Sequence, residues 1–128
     1  MTKDEIIQFW INTSEENLAT MHRLYLNKEY DWCLFIGHLG LEKLLKAYYV
    51  KIKDENFPYS HNLIFLANKS ELELTEKQKD LLIEVTSFNI EARYVDYKRR
   101  FRDKCTPQFT EKYVKNIDDF YKWLMKKF

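Results

Sequence analysis

Residues 30–53 read Tyr30-Asp31-Trp32-Cys33-Leu34-Phe35-Ile36-Gly37-His38-Leu39-Gly40-Leu41-Glu42-Lys43-Leu44-Leu45-Lys46-Ala47-Tyr48-Tyr49-Val50-Lys51-Ile52-Lys53. At helical spacing, Trp32, Phe35, Ile36 and Leu39 cover one side, and Leu34, Leu41, Leu45, Tyr48 and Ile52 cover another. A helix apolar around most of its circumference is central, surrounded by other helices or by a partner chain. Its polar residues fall mainly on one line, because His38, Glu42 and Lys46 step by four and stack on one face. Both glycines of the chain, Gly37 and Gly40, also lie here. Each costs roughly 1 kcal/mol relative to Ala inside a helix, so close approach of another backbone is the expected compensation.

Outward from this segment the chain reads as further helices. Thr2-Lys3-Asp4-Glu5 fits a capping box. Ile7, Ile11, Leu18, Met21 and Tyr25 follow at helical spacing, with Ser14 as the weak position, and Asn27-Lys28-Glu29 closes the helix. Asp54 to Tyr59 breaks the pattern as a loop, and Ser60 is placed to cap a short helix from His61 to about Lys69. Thr75-Glu76-Lys77-Gln78 is a second capping box. It opens a helix with Leu81, Val85, Phe88 and Ala92 as its buried stripe, and Glu91 to Arg102 at its end. Thr106-Pro107 starts the last helix, where Phe109, Tyr113, Ile117, Phe120, Leu124 and Phe128 run to the C-terminus. The expectation is an all-α chain: one domain over residues 1–128, an up-and-down bundle of four long helices plus one short one.

Composition agrees with that reading. The 128 residues include two Gly and two Pro, about 3% together, where average usage gives roughly 12%. Too few turn residues are available for a β-sandwich or barrel, and the glycine-rich phosphate loops are excluded. Cys33 and Cys105 form no C-x-x-C pair, and Cys33 reads as a buried thiol inside an apolar run. His22, His38 and His61 have no zinc spacing, so neither a metal nor a cofactor is expected. No apolar run approaches the ~20 residues of a membrane span, and the first residues lack a signal-peptide core. The expected location is the cytoplasm, with both thiols reduced. The net charge of +1 is unevenly spread: residues 1–92 carry −5 and residues 93–128 carry +6. Such asymmetry points to an anionic partner or a complementary protein surface.

Three constellations can carry chemistry. His38, Glu42 and Lys46 form either an acid–base or phosphate-holding line, or a partly solvated stripe with a Glu–Lys pair. In Ser60-His61-Asn62-Leu63, the imidazole is either an exposed helix-start group or turns inward to a carboxylate. Arg93, Tyr94, Lys98, Arg99, Arg100 and Arg102, with Tyr97 and Phe101 interleaved, can grip phosphates and stack on bases. The same run also reads as a helix C-terminus stabilised by cations.

Three segments together resemble the signature of the HEPN family, the higher eukaryote and prokaryote nucleotide-binding domain. They are Gly37-His38-Leu39-Gly40-Leu41-Glu42-Lys43-Leu44-Leu45-Lys46-Ala47, Ser60-His61-Asn62-Leu63 and Glu91-Ala92-Arg93-Tyr94. The resemblance implies a helical bundle, frequently a homodimer, with RNA or nucleotide as ligand. It further implies a possible minimal nucleotidyltransferase partner, as in the toxin–antitoxin-like pairs of small prokaryotic members. Many members are metal-independent RNases using an Arg, four to six intervening residues, then His. Here no His follows His61, and Val95 replaces the Pro usual after the Arg-Tyr pair. Both departures speak against that activity.

Carried over by residue, the resemblance marks Glu42, Lys43, Lys46, His61, Arg93 and Tyr94, and Glu42, His61 and Arg93 are expected to approach one another. The close packing expected at the glycines makes the Gly37/Gly40 segment and the aromatic second helix candidates for a dimer interface. The leading reading is a binding module working through Arg93 to Lys104. The enzyme alternative draws on Arg93 with Tyr97 or His61 as the base, and a third reading has Tyr97 accept a nucleotide from a transferase. The remaining alternative is a purely structural dimeric interaction protein.

Overall fold

The computed structural model describes residues 1–128 and contains six helices: α1 (Lys3–Leu26), α2 (Tyr30–Ile52), α3 (Leu63–Lys69), α4 (Glu76–Arg93), α5 (Val95–Lys104) and α6 (Pro107–Met125). The fold class is all-α. The locally encoded helix starts form where the sequence puts them. Thr2 Oγ1 accepts from the Glu5 N–H at 3.2 Å, while the Glu5 carboxylate accepts from the Thr2 N–H at 3.1 Å. Thr75 and Gln78 exchange the equivalent pair, and Thr106 Oγ1 accepts from Phe109 N–H ahead of Pro107.

The core is one continuous cluster running from Ile11 to Leu124, with α2 at its centre. The two glycines let α1 and α6 press against α2. A Cβ on Gly37 would stand 2.7 Å from Met21 Sδ and 2.9 Å from Ile117 Cδ1, and one on Gly40 would stand 2.6 Å from Leu18 Cδ2. Ser14, the weak position of the α1 stripe, is fully buried and donates to the Gly40 carbonyl at 2.7 Å. The sequence leads one to expect another backbone beside each glycine; the space is filled instead by side chains of α1 and α6, within the chain. The glycines face α1 and α6 and offer no surface to a second copy, which corrects that part of the dimer reading.

Three boundaries also differ from expectation. The fourth helix ends at Arg93, because Tyr94 leaves helical geometry (φ −91°, ψ 131°) and serves as both C-cap of α4 and N-cap of α5. The bundle thus has four long and two short helices. The cause is packing: a continuous helix would hold Phe88 and Phe101 about 20 Å apart along its axis, whereas their rings meet at 5.3 Å. Phe101 is the buried anchor of α5. Next, α3 begins at Leu63 with Asn62 as its cap, and Ser60 instead accepts from the Asn62 N–H at 3.0 Å. His61 therefore stands in the loop. Finally, the buried stripe of α4 uses Leu82 with Val85, Phe88 and Ala92, leaving Leu81 half-buried, and α6 ends at Met125. No helix is long and apolar enough to cross a membrane.

Replacing either glycine by alanine gains roughly 1 kcal/mol of helix propensity and forces a methyl into occupied core space, an overpacking cost of about 1–3 kcal/mol. Gly37→Ala and Gly40→Ala are each expected to lower unfolding free energy by about 1 kcal/mol, the excess of the second effect over the first. Urea denaturation at unchanged slope is the measurement. A stabilised variant would contradict the close-packing account.

Candidate functional site

Glu42 has no exposed surface, yet its carboxylate is paired on both oxygens. Oε1 accepts from His61 Nδ1 at 2.7 Å, and Oε2 accepts from Lys46 Nζ at 3.0 Å and Lys43 Nζ at 3.3 Å. Burial pushes the Glu42 pKa up, but the His61 and Lys46 hydrogen bonds and the two ammonium charges outweigh it and hold the pKa below the ordinary value. Trp10 and Phe57, edge to face at 5.2 Å, receive these cations on their rings. Lys46 lies 5.3 Å from the Phe57 centroid and Lys43 lies 5.4 Å from that of Trp10.

His38, one turn back on α2, is also fully buried. Its Nε2 donates to the His61 carbonyl at 2.8 Å, and Nδ1 has no protein partner. Burial pulls its pKa down to about 4, against the opposing pull of the His61 carbonyl and Glu42, with the positive fields of His61 and Arg93 adding to the drop. The imidazole is thus neutral, with its proton on Nε2. His61, by contrast, is half exposed, and its Nε2 makes no hydrogen bond.

His38, Glu42, Lys46 and His61 therefore come together, the first three as a buried set and not a solvated stripe, with His61 closing it from the surface. Arg93 does not join them by any hydrogen bond or ion pair. Its exposed guanidinium stacks 5.3 Å over Phe35, about two helical turns along α2 from Glu42. Of the expected trio, Glu42 and His61 meet, while Arg93 borders the cluster only through the neighbourhood of His38.

The basic run forms the outer helix α5. Lys98, Arg99 and Arg100 are exposed and make no ion pair, and Tyr94 and Tyr97 are exposed beside them. Arg102 approaches Asp31 at 3.7 Å, and Lys104 is engaged by Glu84 at 3.2 Å and Glu91 at 3.8 Å. One residue escaped the sequence reading. Trp32, assigned there to the apolar side of helix two, is 39% exposed, with the Lys98 ammonium 5.4 Å from its ring centroid. Its place in the first turn of α2 is the only signal that sets it apart. Cys33 and Cys105 are buried free thiols, and burial pushes both up to about 12.

The family model of the HEPN domain matches residues 7–128, nearly the whole chain, so this chain belongs to the HEPN family. At family level it is a nucleotide- or RNA-related helical module. Neither the curated proteins nor the solved structures give a match.

A histidine neutral when folded and free to protonate when unfolded destabilises the fold in acid. The unfolded group titrates near 6.5 and His38 near 4, so between those limits the unfolded state binds the extra proton. Unfolding free energy is expected to fall with decreasing pH across that window, by up to about 1.4 kcal/mol per pH unit from this group. Glu42, whose pKa is lowered, adds a further loss below the ordinary carboxylate range. His38→Gln should flatten the upper part of the profile in pH-dependent urea unfolding. An unchanged slope would remove His38 as its origin.

Proposed function

We propose that this protein binds RNA through α5 and acts as one half of a toxin–antitoxin-like pair with a minimal nucleotidyltransferase. The observation that carries the RNA reading is the set of exposed cations Arg93, Lys98, Arg99 and Arg100. None has an acidic partner within the chain, although several carboxylates are available to other cations. Arg groups grip phosphate bidentately, and Tyr94 and Tyr97 add exposed rings to the same surface. The paired transferase, the homodimer and the prokaryotic setting draw on family membership, and the cytoplasmic location on the two free thiols. In this reading α5 holds the nucleic acid and the buried Glu42 cluster keeps the scaffold rigid.

Phosphate contacts release counterions, so affinity for a labelled single-stranded RNA should fall steeply as salt rises from about 50 to about 200 mM. Arg99→Ala/Arg100→Ala is expected to lower the log–log salt slope by about 1.4, some 0.7 per lost contact on a single strand. Fluorescence anisotropy measures this. Absence of salt-sensitive binding to single strands, duplexes and mononucleotides alike would sink the reading.

A second reading, RNA cleavage, has one observation in its favour. Glu42 fixes His61 through Nδ1 and leaves Nε2 toward solvent, the orientation that a general base needs. Against it, no His follows Arg93, and Tyr97 with a pKa near 10 is a poor base at neutral pH. Purified protein is expected to leave RNA intact on gels. Cleavage lost in both Arg93→Ala and His61→Ala would establish the RNase instead, whereas equal cleavage by all three proteins would indicate a contaminant.

A further inference from the structure

A cavity of about 540 Å³ opens between the first turn of α2 and α5, lined by Asp31, Trp32, Lys98, Arg99, Arg102 and Asp103. A neighbouring cavity of about 340 Å³ shares Asp31, Trp32 and Arg102. The two flank the Arg102–Asp31 contact as parts of one groove, within the size range of small-ligand sites. Trp32 is the sole apolar side chain lining the larger part. Phe35 meets its ring edge-on, at 81° and 5.9 Å, and the ring face carries only the Lys98 ammonium. An indole face bordered by three cations and covered by one long, unbranched lysine side chain suits a planar, electron-rich group joined to an anion.

We propose that this groove holds one unstacked nucleobase of a single-stranded RNA on the face of Trp32, with Lys98 and Arg99 on the adjoining phosphate. The inference rests on the reading of α5 as an RNA surface and names the residue that supplies stacking there. As the base enters, the Lys98 ammonium leaves the ring on its flexible stem and pairs with the phosphate. The Asp31 and Asp103 carboxylates disfavour a phosphate beside them and accept hydrogen bonds from base N–H groups, such as uracil N3–H, which orients the base inward and the phosphate to the Lys98–Arg99 rim. Free cations continue past the groove at Arg93 and Arg100, so the surface suits a strand with several phosphates better than a mononucleotide. A duplex offers no free base face, which selects the single strand.

The test uses the full chain with a short fluorescein-labelled oligouridylate and a short RNA duplex. Trp32→Ala is expected to weaken oligouridylate binding about 5- to 150-fold, the range for one lost base–aromatic stack, with the salt slope unchanged. Trp32→Phe should keep most of the affinity, and neither change should alter duplex binding. Circular dichroism melts check that both variants fold, and Trp32→Leu, apolar but without an aromatic face, serves where Trp32→Ala does not, with the same loss expected. Wild-type affinity in Trp32→Ala, or an equal loss on duplex, overturns the stacking role while leaving the RNA surface standing. A parent protein that binds neither RNA overturns both.

Discussion

A carboxylate without exposed surface is tolerable only if cations and donors surround it, because breaking such a pair costs about 3–5 kcal/mol. Glu42 is that group, and the fold is arranged to satisfy it. Two of its partners, Lys43 and Lys46, come from its own helix, while the third, His61, must be brought from the loop that follows. His38 adds a second latch by donating to the His61 carbonyl. With both ring and backbone of His61 fixed, the entry to α3 is fixed too, and the Leu63 N–H then donates to Thr86 Oγ1 on α4 at 3.1 Å. One buried charge thus sets the relation of the loop, α3 and α4 to the central helix.

This arrangement separates Glu42, Lys46 and His61 from Arg93 by their surroundings. Lys46 and His61 both bond the Glu42 carboxylate, and His61 Nε2 is left toward solvent. Arg93 has no such partner and lies at the edge, where α4 stops and α5 begins. The break between those helices moves the cations of α5 away from the axis of α4 while Phe101 returns to Phe88 in the core. Phe88 also meets Tyr113 edge-on at 5.2 Å, so the anchor of α5 is tied to α6 as well.

What the sequence reveals follows the range of the forces involved. Capping boxes and Pro at a first helical position act over three or four residues, so the starts of α1, α4 and α6 are legible. The break at Tyr94 is not, because neither Gly nor Pro marks it and its cause is a contact between Phe88 and Phe101. Ser60 and Asn62 are both good caps. The choice falls to Asn62 because His61 is held out of helical geometry by Glu42 and His38. The glycines announce a close approach without saying to what. The spacing of His38, Glu42 and Lys46 gives a shared face, but only the tertiary packing around it decides that the face is buried. Trp32 shows the reverse error: helical periodicity assigns it to the interior, while its position at the end of α2 leaves it facing α5.

The distribution of ion pairs along α5 gives the charge asymmetry of the chain its physical meaning. Lys104 and Arg102, near the C-terminal end, are drawn toward Glu84, Glu91 and Asp31, which orients the helix against α4 and α2. Lys98, Arg99 and Arg100, between that end and Tyr94, contribute nothing comparable to holding the fold. Exposed pairs are individually weak, about 0–1 kcal/mol, so the orientation rests mainly on Phe101, the single buried residue of the helix. Removing a free cation therefore perturbs the surface potential without touching the core, and removing Phe101 does the opposite. The binding proposed for α5 and the stability drawn from the Glu42 cluster would in this way rest on different residues.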